Sequence, residues 1–371
     1  MIYLDNAATT PMSDAALQTL LSVSQTTYGN PSSLHSHGRK ASQVLRQARQ
    51  TVATALLTSP NRIILTSGGT EANNLALIGY ALANQDKGKH IVTTAIEHHS
   101  VLHPLEMLER EHGFEVTYLK PVSSRYTAQQ FRDALRPDTI LVSAMYANNE
   151  TGYLLPIADI GQALSQHQAV FHVDAVQTVG KFPIHPEELG IDLLSASGHK
   201  FHGPKGVGFL YTNTNRLHRL LLGGNQEDKR RASTENLASI AAMATALEES
   251  LAYWESNLNH VQHLRQRLLE KLASVDLFIN QEQDNLPYVL NIAFPGQLNE
   301  QLLMRLDLTG ISISSGSACT AGNIEPSHVL EALYGTQSSL LKESVRISFS
   351  KYNTIDDIDT LATTLITLLG E

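Results

Sequence analysis

The sequence is poor in the residues that build disulfide-linked or membrane-anchored folds. Its 371 residues include one cysteine and one tryptophan, and aromatic residues make up only 6%. A single cysteine excludes an internal disulfide and any metal site built only from thiolates. No apolar run approaches the length that spans a bilayer, and residues 1–6 lack the basic and apolar stretches of a signal peptide. We therefore expect a cytoplasmic protein with no membrane segment.

Runs of basic residues are also missing. Lys and Arg together number 27 against 36 Asp and Glu, which gives a net charge of −9. Without a basic stripe, nucleic acid is not expected as a direct ligand. A hydrophobic content of 42% and a charged content of 17% are typical of a soluble globular protein. The length is enough for a large core and predicts two domains.

The turn around Lys200 carries the first sign of chemistry. Residues 195–208, rich in Gly, Ser and His, separate two apolar runs at 191–194 and 207–211, a pattern that predicts strand, turn and strand. A lysine held in such a turn can be partly desolvated, which lowers its pKa and frees the amine to act as a nucleophile or base. Most lysines are solvated, and this turn alone does not decide between the two interpretations.

Short apolar runs alternate with helical segments between residues 60 and 212. This alternation predicts a mostly parallel sheet with helices on both faces. The carboxyl ends of such strands meet at one edge, where ligands bind. The polar residues that follow the runs are Gly69, Thr70, His98, Asn149, Asp174, Gln177, Ser197, His199 and Lys200. We expect them to lie together.

Each of these residues also has an ordinary interpretation. Residues 66–74 form a glycine turn before a helix, which can bind a phosphate through free N–H groups or can be a simple helix cap. Asp174 either caps a helix or pairs with a bound cation. His98 could be a surface histidine. The sixteen histidines show no metal-ligand spacing, so no metal is expected.

The second half of the chain predicts a connector and a smaller unit. Residues 236–274 have the spacing of one long amphipathic helix without Gly or Pro. Residues 275–371 predict a smaller α/β unit with strands at 288–294, 310–314 and 345–349.

Taken together, the polar residues at the sheet edge describe a pyridoxal 5'-phosphate (PLP) site. Lys200 would form the Schiff base, and the glycine turn with Ser197 and His199 would hold the phosphate. Asp174 would keep the pyridine nitrogen protonated, and His98 would stack on the ring.

Eight motifs in order support this prediction. They are 3–10 (YLDNAATT), 29–33 (GNPSS), 66–71 (TSGGTE), 97–98 (EH), 148–152 (NNETG), 172–177 (HVDAVQ), 197–200 (SGHK) and 314–320 (SSGSACT). With these motifs the whole chain resembles the NifS/IscS-type cysteine desulfurases of the class V aminotransferase group. The resemblance implies PLP fold type I, with a mostly parallel seven-stranded sheet flanked by helices and a smaller C-terminal α/β domain.

The same resemblance implies the organisation and the reaction. Residues 13–255 would form the large PLP-binding domain, and residues 1–12 and 256–371 the small domain with the cysteine loop. A homodimer would convert L-cysteine to L-alanine. The sulfur would leave as a persulfide for protein acceptors, such as an iron–sulfur scaffold, a tRNA-thiolation enzyme or a thiamin-pathway carrier.

Individual roles are implied by position within the motifs. Lys200 would carry the cofactor and move the proton at the substrate Cα, while His98 would stack and shuttle a proton. The phosphate region would include Gly69, Thr70, Ser197 and His199, and Thr234 would reach the phosphate of the partner subunit. Asn149, Asp174 and Gln177 would contact the ring. Asn149 and Arg346 would bind the substrate, Arg346 by pairing with its carboxylate, although an ordinary strand-edge arginine has the same pattern.

Cys319 is expected to be the sulfur acceptor within the chain. It lies in a segment too polar and glycine-rich for a core, which predicts an exposed loop. Its thiolate would attack the substrate sulfur. The loop after it is similar to that of the longer-loop branch of the family. One departure is Ser233, which stands where the family usually has a glycine before the intersubunit threonine, here Thr234.

Three other functions share part of this pattern. A selenocysteine lyase would have nearly every residue and would differ in its substrate preference. Another class V aminotransferase or lyase would need no loop cysteine. A non-enzymatic sulfur carrier or scaffold would not bind PLP.

Overall fold

The computed structural model describes residues 1–281, 283–315 and 326–370 of the protein. Its strands, in chain order, are β1 Ile2–Tyr3, β2 Ile63–Thr66, β3 His90–Thr94, β4 Glu115–Leu119, β5 Thr139–Met145, β6 Val170–Asp174, β7 Leu193–Ser197, β8 Gly208–Thr212, β9 Phe278–Asn280, β10 Val289–Ala293, β11 Ile311–Ser312 and β12 Ser344–Ser348.

The helices follow the same chain order. They are α1 Asp14–Thr26, α2 Ser36–Ala55, α3 Gly69–Asn74, α4 Tyr80–Asn84, α5 His99–His112, α6 Ala128–Ala134, α7 Ile157–Leu164, α8 Gln226–Lys229, α9 Leu237–Ala252, α10 Trp254–Lys271, α11 Asn299–Leu308, α12 His328–Tyr334, α13 Leu340–Glu343 and α14 Ile355–Gly370. A π-helical turn, Leu75–Gly79, joins α3 to α4. Within the described ranges, none of these helices is long and apolar enough to span a bilayer.

The predicted seven-stranded, mostly parallel sheet is confirmed. Its strand order is β2-β8-β7-β6-β5-β3-β4, and only the two pairs made by β8 are antiparallel. The strand–turn–strand prediction around Lys200 corresponds to β7 and β8. Strand β4 was not predicted, because at the edge of the sheet its residues are mostly half-exposed and lack an apolar pattern.

Helices cover both faces of this sheet, as predicted. Successive strand residues point to opposite faces, so Phe209 joins the core that includes helix α2, whereas Leu210 joins the core that includes helix α5. The strands from β5 to β8 are almost wholly buried. Burial on both faces explains why these segments are continuous apolar runs in the sequence.

The prediction of a single long helix over residues 236–274 is wrong. The structure has two helices, α9 and α10, separated at Tyr253, whose φ of −119° and ψ of 17° lie outside the helical region. Helix α9 packs on α1 and α2, and α10 packs on α14. The break therefore lets the two helices follow different hydrophobic cores. No Gly or Pro marks it in the sequence.

The C-terminal region forms a second, smaller sheet. Its order is β12-β10-β9, with both pairs antiparallel. Strand β9 was not predicted. Strand β11, predicted as part of this unit, forms its ladder in parallel with the N-terminal strand β1 instead. A separate hydrophobic core lies here, and it also contains Leu4 from the N-terminal arm.

Candidate active site

A cavity of about 610 Å³ lies at the carboxyl ends of the parallel strands. Ten of the predicted site residues line it: Gly69, Thr70, His98, Asn149, Asp174, Gln177, Ser197, His199, Lys200 and Arg346. Thr234 is not among its lining residues. Cys319 lies outside the described residues. The nine residues expected at the strand ends therefore lie together, and Arg346 joins them from β12 of the small sheet.

Lys200 lies at the end of a 3₁₀ turn, Gly198–Lys200, directly after β7. Its Nζ donates hydrogen bonds to the carbonyl oxygens of Ala7 at 2.5 Å and Ala8 at 2.8 Å. Burial, and then the charge of Arg346, lower the pKa of Lys200 to about 7. A large fraction of this amine is therefore unprotonated near neutral pH, as a nucleophilic lysine requires.

The glycine turn after β2 is shaped for close approach. Gly68 has a φ of +149°, which side-chain-bearing residues rarely adopt. A Cβ on Gly69 would lie 2.7 Å from Cγ2 of Val176, too close unless Val176 shifts, so glycine suits this position. Helical backbone then runs from α3 through the π-helical turn to the end of α4. Free N–H groups at its start, together with Thr70 and Ser197, suit a phosphate.

Asp174 ends β6 with both carboxylate oxygens engaged. Oδ1 accepts from the backbone N–H of Val176 at 3.0 Å, and Oδ2 accepts from Nδ2 of Asn73 at 2.8 Å. Asp174 is nearly buried. These two donors fix the direction in which the carboxylate points.

His98 is the N-cap residue of α5. Its Nδ1 accepts from the backbone N–H of Ser100 at 3.0 Å and lies 2.8 Å from Oγ of Ser100. Burial is the main cause that lowers the pKa of His98. A neutral imidazole at the cavity wall is suited to stacking on an aromatic ring.

Arg346 is buried on β12, which is an edge strand of the small sheet. Its guanidinium donates to Oδ1 of Asp5 at 2.7 Å and to the carbonyl oxygen of Asn149 at 2.8 Å. The Nε atom is buried and has no hydrogen-bond partner among the described residues. A buried donor of this kind is costly to leave unpaired, and it fits a site that binds a carboxylate.

The N-terminal arm contributes to the site in a way that the sequence analysis missed. This arm supplies Asp5 and the two carbonyl oxygens that bind Lys200. One of these two, the Ala7 carbonyl, also accepts from Nε2 of Gln177 at 3.1 Å. Oγ1 of Thr9 lies 3.1 Å from Nδ1 of His199. Residues 3–10 were identified as a motif but were given no role. The sequence shows no sign of these contacts beyond the motif itself, because contacts between residues almost 200 positions apart leave no local pattern.

His199 is held away from its charged form. Burial, followed by the charges of Lys200 and Lys205, lowers its pKa to about 4. At neutral pH it is an uncharged imidazole, so it can contribute a single N–H or lone pair to the cavity rather than a cation.

Cys319 and the rest of residues 316–325 lie outside the described part of the chain. The described residues on either side, Ser315 and His328, both line the cavity. Ser314 exchanges backbone hydrogen bonds with Arg346, at 3.1 Å and 2.5 Å. Oγ of Ser327, the N-cap of α12, donates to Oε2 of Glu150 at 2.5 Å. Both flanks are therefore attached to the wall of the cavity.

Thr234 lies in a different groove, which it shares with the exposed Leu222. The residue before it, Ser233, has a φ of +115°, a value that favours glycine. The departure seen in the sequence is therefore a strained backbone position. Among the described residues, no group of His, Cys, Asp and Glu could hold a metal ion.

Replacing Ser233 by glycine should stabilise the protein by about 1 kcal/mol, because the strain at positive φ exceeds the entropy that glycine gains on unfolding. Urea unfolding at one fixed protein concentration measures this change. Ser59→Gly is the control, since Ser59 is exposed with a φ of −84°, and it should destabilise. Equal effects of the two substitutions would contradict strain at Ser233.

Comparison with known proteins gives a consistent set of similarities. The model of the aminotransferase class-V family matches residues 2–361. The cysteine desulfurase IscS of Dictyoglomus turgidum is 42% identical over 365 residues, 96% of this chain and 92% of that protein. A NifS-like protein of known structure is 34% identical with a TM-score of 0.93, covering 100% of this chain and 99% of that one. The structure of SspA in complex with cysteine is 35% identical with a TM-score of 0.83, covering 95% and 100%.

Proposed function

This chain belongs to the aminotransferase class-V family, in which it is a PLP-dependent cysteine desulfurase, and on that premise we propose that Lys200 and Cys319 divide its chemistry. Lys200 would hold the cofactor and move the proton at the substrate Cα. Cys319 would take the sulfur. The observation that carries this proposal is the lowered pKa of the Lys200 amine. This amine lines a cavity that is also lined by Ser315 and His328, which lie on either side of the Cys319 segment.

The donor set of the cavity fits PLP. The wall beside Gly69 leaves little room for a Cβ, and the adjacent N–H groups, Thr70, Ser197 and His199 would hold the phosphate. The fixed carboxylate of Asp174 would pair with the pyridine nitrogen, and Asn149 and Gln177 would contact the ring. When bound, PLP withdraws electrons from the substrate Cα and so makes its proton removable.

The substrate would be oriented by Arg346. Asp5 and the Asn149 carbonyl already hold the guanidinium in place, so the carboxylate of L-cysteine would meet a preorganised cation. The Lys200 amine would then remove the Cα proton. His98 would stack on the cofactor.

The sulfur step would follow at Cys319. Its thiolate would attack the substrate sulfur, and the carbon–sulfur bond would break with its electron pair remaining on carbon. That carbon would take up a proton, and Lys200 would return to Cα the proton it removed, which completes L-alanine. The persulfide would remain on Cys319. Thiolates are the reactive form of cysteine in such displacements.

Mass spectrometry of the intact protein after L-cysteine treatment should show one added sulfur atom, located on Cys319, and removable by a thiol reductant. Because the chain has a single cysteine, Cys319→Ala leaves no alternative thiol and should show no added sulfur. A Cys319→Ala protein that forms alanine at the full rate with a thiol acceptor would refute the role of Cys319.

Cofactor uptake by the cofactor-free protein should rise with pH through about 7. Burial lowers the pKa of Lys200 to about 7, so the reactive neutral amine dominates above that pH. An ordinary lysine would reach the same neutral fraction only at a pH of about 10.4. The initial rate of PLP binding, followed by absorbance across the pH range, measures this. A rate that rises only in strongly alkaline solution would contradict the lowered pKa.

The partner subunit, the acceptors and the location form the finer part of the proposal. We propose a homodimer in which Thr234 reaches the partner's phosphate. The exposed Leu221 and Leu222 line the same groove as Thr234 and support a partner-facing surface there. The persulfide would pass to a protein acceptor in the cytoplasm, an iron–sulfur scaffold or a tRNA-thiolation enzyme. Analytical ultracentrifugation and a persulfide-transfer assay with each acceptor test these points.

The domain division remains a proposal as well. Residues 13–255 would form the large domain, and residues 1–12 with 256–371 the small one. Separate hydrophobic cores under the large and small sheets support it, as does the helix break at Tyr253.

We also propose that the enzyme prefers cysteine over selenocysteine. Comparing turnover of the two substrates distinguishes a desulfurase from a selenocysteine lyase.

A further inference from the structure

A chain of hydrogen bonds connects the carboxylate of Asp174 to the imidazole of His98. The side-chain amide of Asn73 donates one N–H to Oδ2 of Asp174 at 2.8 Å and the other to Oγ of Ser100 at 2.9 Å. Oγ of Ser100 lies 2.8 Å from Nδ1 of His98. The side chains of Asn73 and Ser100 thus bridge two groups that face the same cavity.

The directions of these bonds are fixed by the groups at their ends. A charged carboxylate only accepts, so Nδ2 of Asn73 must face Asp174. Ser100 Oγ accepts from the same amide, which leaves its own hydrogen for Nδ1 of His98. The backbone N–H of Ser100 also donates to that nitrogen, at 3.0 Å. Nδ1 is therefore an acceptor, and the single ring proton resides on Nε2.

We propose that Ser100 and Asn73 are positioning residues that hold His98 as the neutral Nε2–H tautomer and link it to Asp174. The proposal rests on the proposed roles of His98 and Asp174 beside the cofactor. Ser100 lines the same cavity, whereas Asn73 is not among its lining residues. In the proposal both act through His98 and Asp174.

The consequence concerns how His98 can take part in the reaction. Accepting a proton would place a hydrogen on Nδ1, directly opposite a backbone N–H that cannot accept it. His98 would have to abandon its N-cap position on α5 to become charged. Nε2 has no hydrogen-bond partner among the described residues, so its N–H is free for a ligand. His98 then supplies a stacked ring and a fixed N–H donor, and the acid–base work falls to Lys200.

The charged and titratable groups around His98 act on it in opposite directions. Lys200, His99 and His328 disfavour its protonation, and Asp174 favours it. The His99 ring stacks against the rings of both His103 and His328 at 4.8 Å. Desolvation at the cavity wall is the largest cause, and it lowers the pKa of His98 below its ordinary value. The hydrogen bonds from Ser100 act in the same direction.

The test is nitrogen NMR of the full-length, cofactor-loaded protein labelled with ¹⁵N in its histidine rings. Spectra of a His98→Asn variant identify the His98 signals. In the wild-type protein, between about pH 6 and 8, Nε2 should be protonated and Nδ1 bare. A proton on Nδ1, or a mixture of tautomers, would overturn the proposal without any variant.

Ser100→Ala removes the hydroxyl but keeps the backbone N–H, so the cap should persist while His98 becomes easier to protonate. Its titration should move upward by about half to one pH unit, the value of one hydrogen bond. Ser100→Thr restores a hydroxyl and should titrate like the wild type. An exposed serine on α1, replaced in Ser22→Ala, is the control. Coincident titrations of Ser100→Ala and wild type would contradict the link.

This outcome is separable from the fate of the proposed function. If Lys200 and Cys319 do not have the proposed roles, their variants will keep forming alanine, whatever the tautomer of His98. If the tautomer is wrong, the variants of Lys200 and Cys319 will still fail.

Discussion

Replacing Lys200 by alanine is expected to lower the rate of alanine formation from L-cysteine by about 10²–10⁴-fold, the range that one positioned acid–base group contributes. The amine that would remove the Cα proton is lost, and so is the point of attachment for the cofactor. Folding should survive, because burial already disfavours the charged form of Lys200. Steady-state assays with saturating PLP and L-cysteine measure the loss.

Lys205→Ala is the matched control for this substitution. Lys205 lies in the same loop but is exposed, and its replacement should leave the rate within about twofold, as for most surface substitutions. If both variants lost activity alike, the loop as a whole and not the amine of Lys200 would be responsible. If Lys200→Ala kept the wild-type rate, the proposed role would be wrong.

Replacing Arg346 by lysine is expected to raise the KM for L-cysteine by about 10- to 100-fold, because hydrogen bonds to charged groups contribute a tenfold change in affinity or more. Lysine keeps the charge but loses the planar fork that can hold a carboxylate while Asp5 and the Asn149 carbonyl hold the guanidinium. Asp5 would also keep a cationic partner in the lysine, but one that binds it more weakly than the guanidinium does. Initial rates over a range of L-cysteine concentrations measure the change.

The matched control is Arg267→Lys. Arg267 forms a two-contact ion pair with Asp359 on the partly exposed surface between α10 and α14. It should change neither KM nor kcat by more than about twofold, since exposed ion pairs contribute little. A wild-type KM in Arg346→Lys would contradict carboxylate binding by Arg346, and urea unfolding of the variant checks that its fold is intact.

The residues at the ends of the parallel strands could be predicted from the sequence. Continuous apolar runs reveal strands that are buried on both faces, and the topology brings their ends to one edge. Thus Asp174, directly after its run, and Lys200, in the turn after the next one, were placed correctly at the cavity. The polar edge strand β4 shows the limit of the same rule, because it has no apolar run to find.

Contacts between distant parts of the chain could not be predicted. The Asp5–Arg346 pair joins residues 341 positions apart, and no local pattern specifies such a partner. The break at Tyr253 is similar, because it comes from packing against two different cores and not from a helix-breaking residue. The bridge from Asn73 through Ser100 to His98 joins a helix interior to a helix cap, which only the folded chain reveals.

Borohydride reduction of the PLP-loaded protein, followed by peptide mass mapping, tests the central assignment most directly. Reduction makes the attachment of the cofactor to its amine permanent, so the modified lysine can be read from the peptide masses. The mass of the reduced cofactor should appear on the peptide containing Lys200 and on no other lysine. Its appearance on the buried Lys181 or the exposed Lys205, or on no peptide at all, would contradict the account.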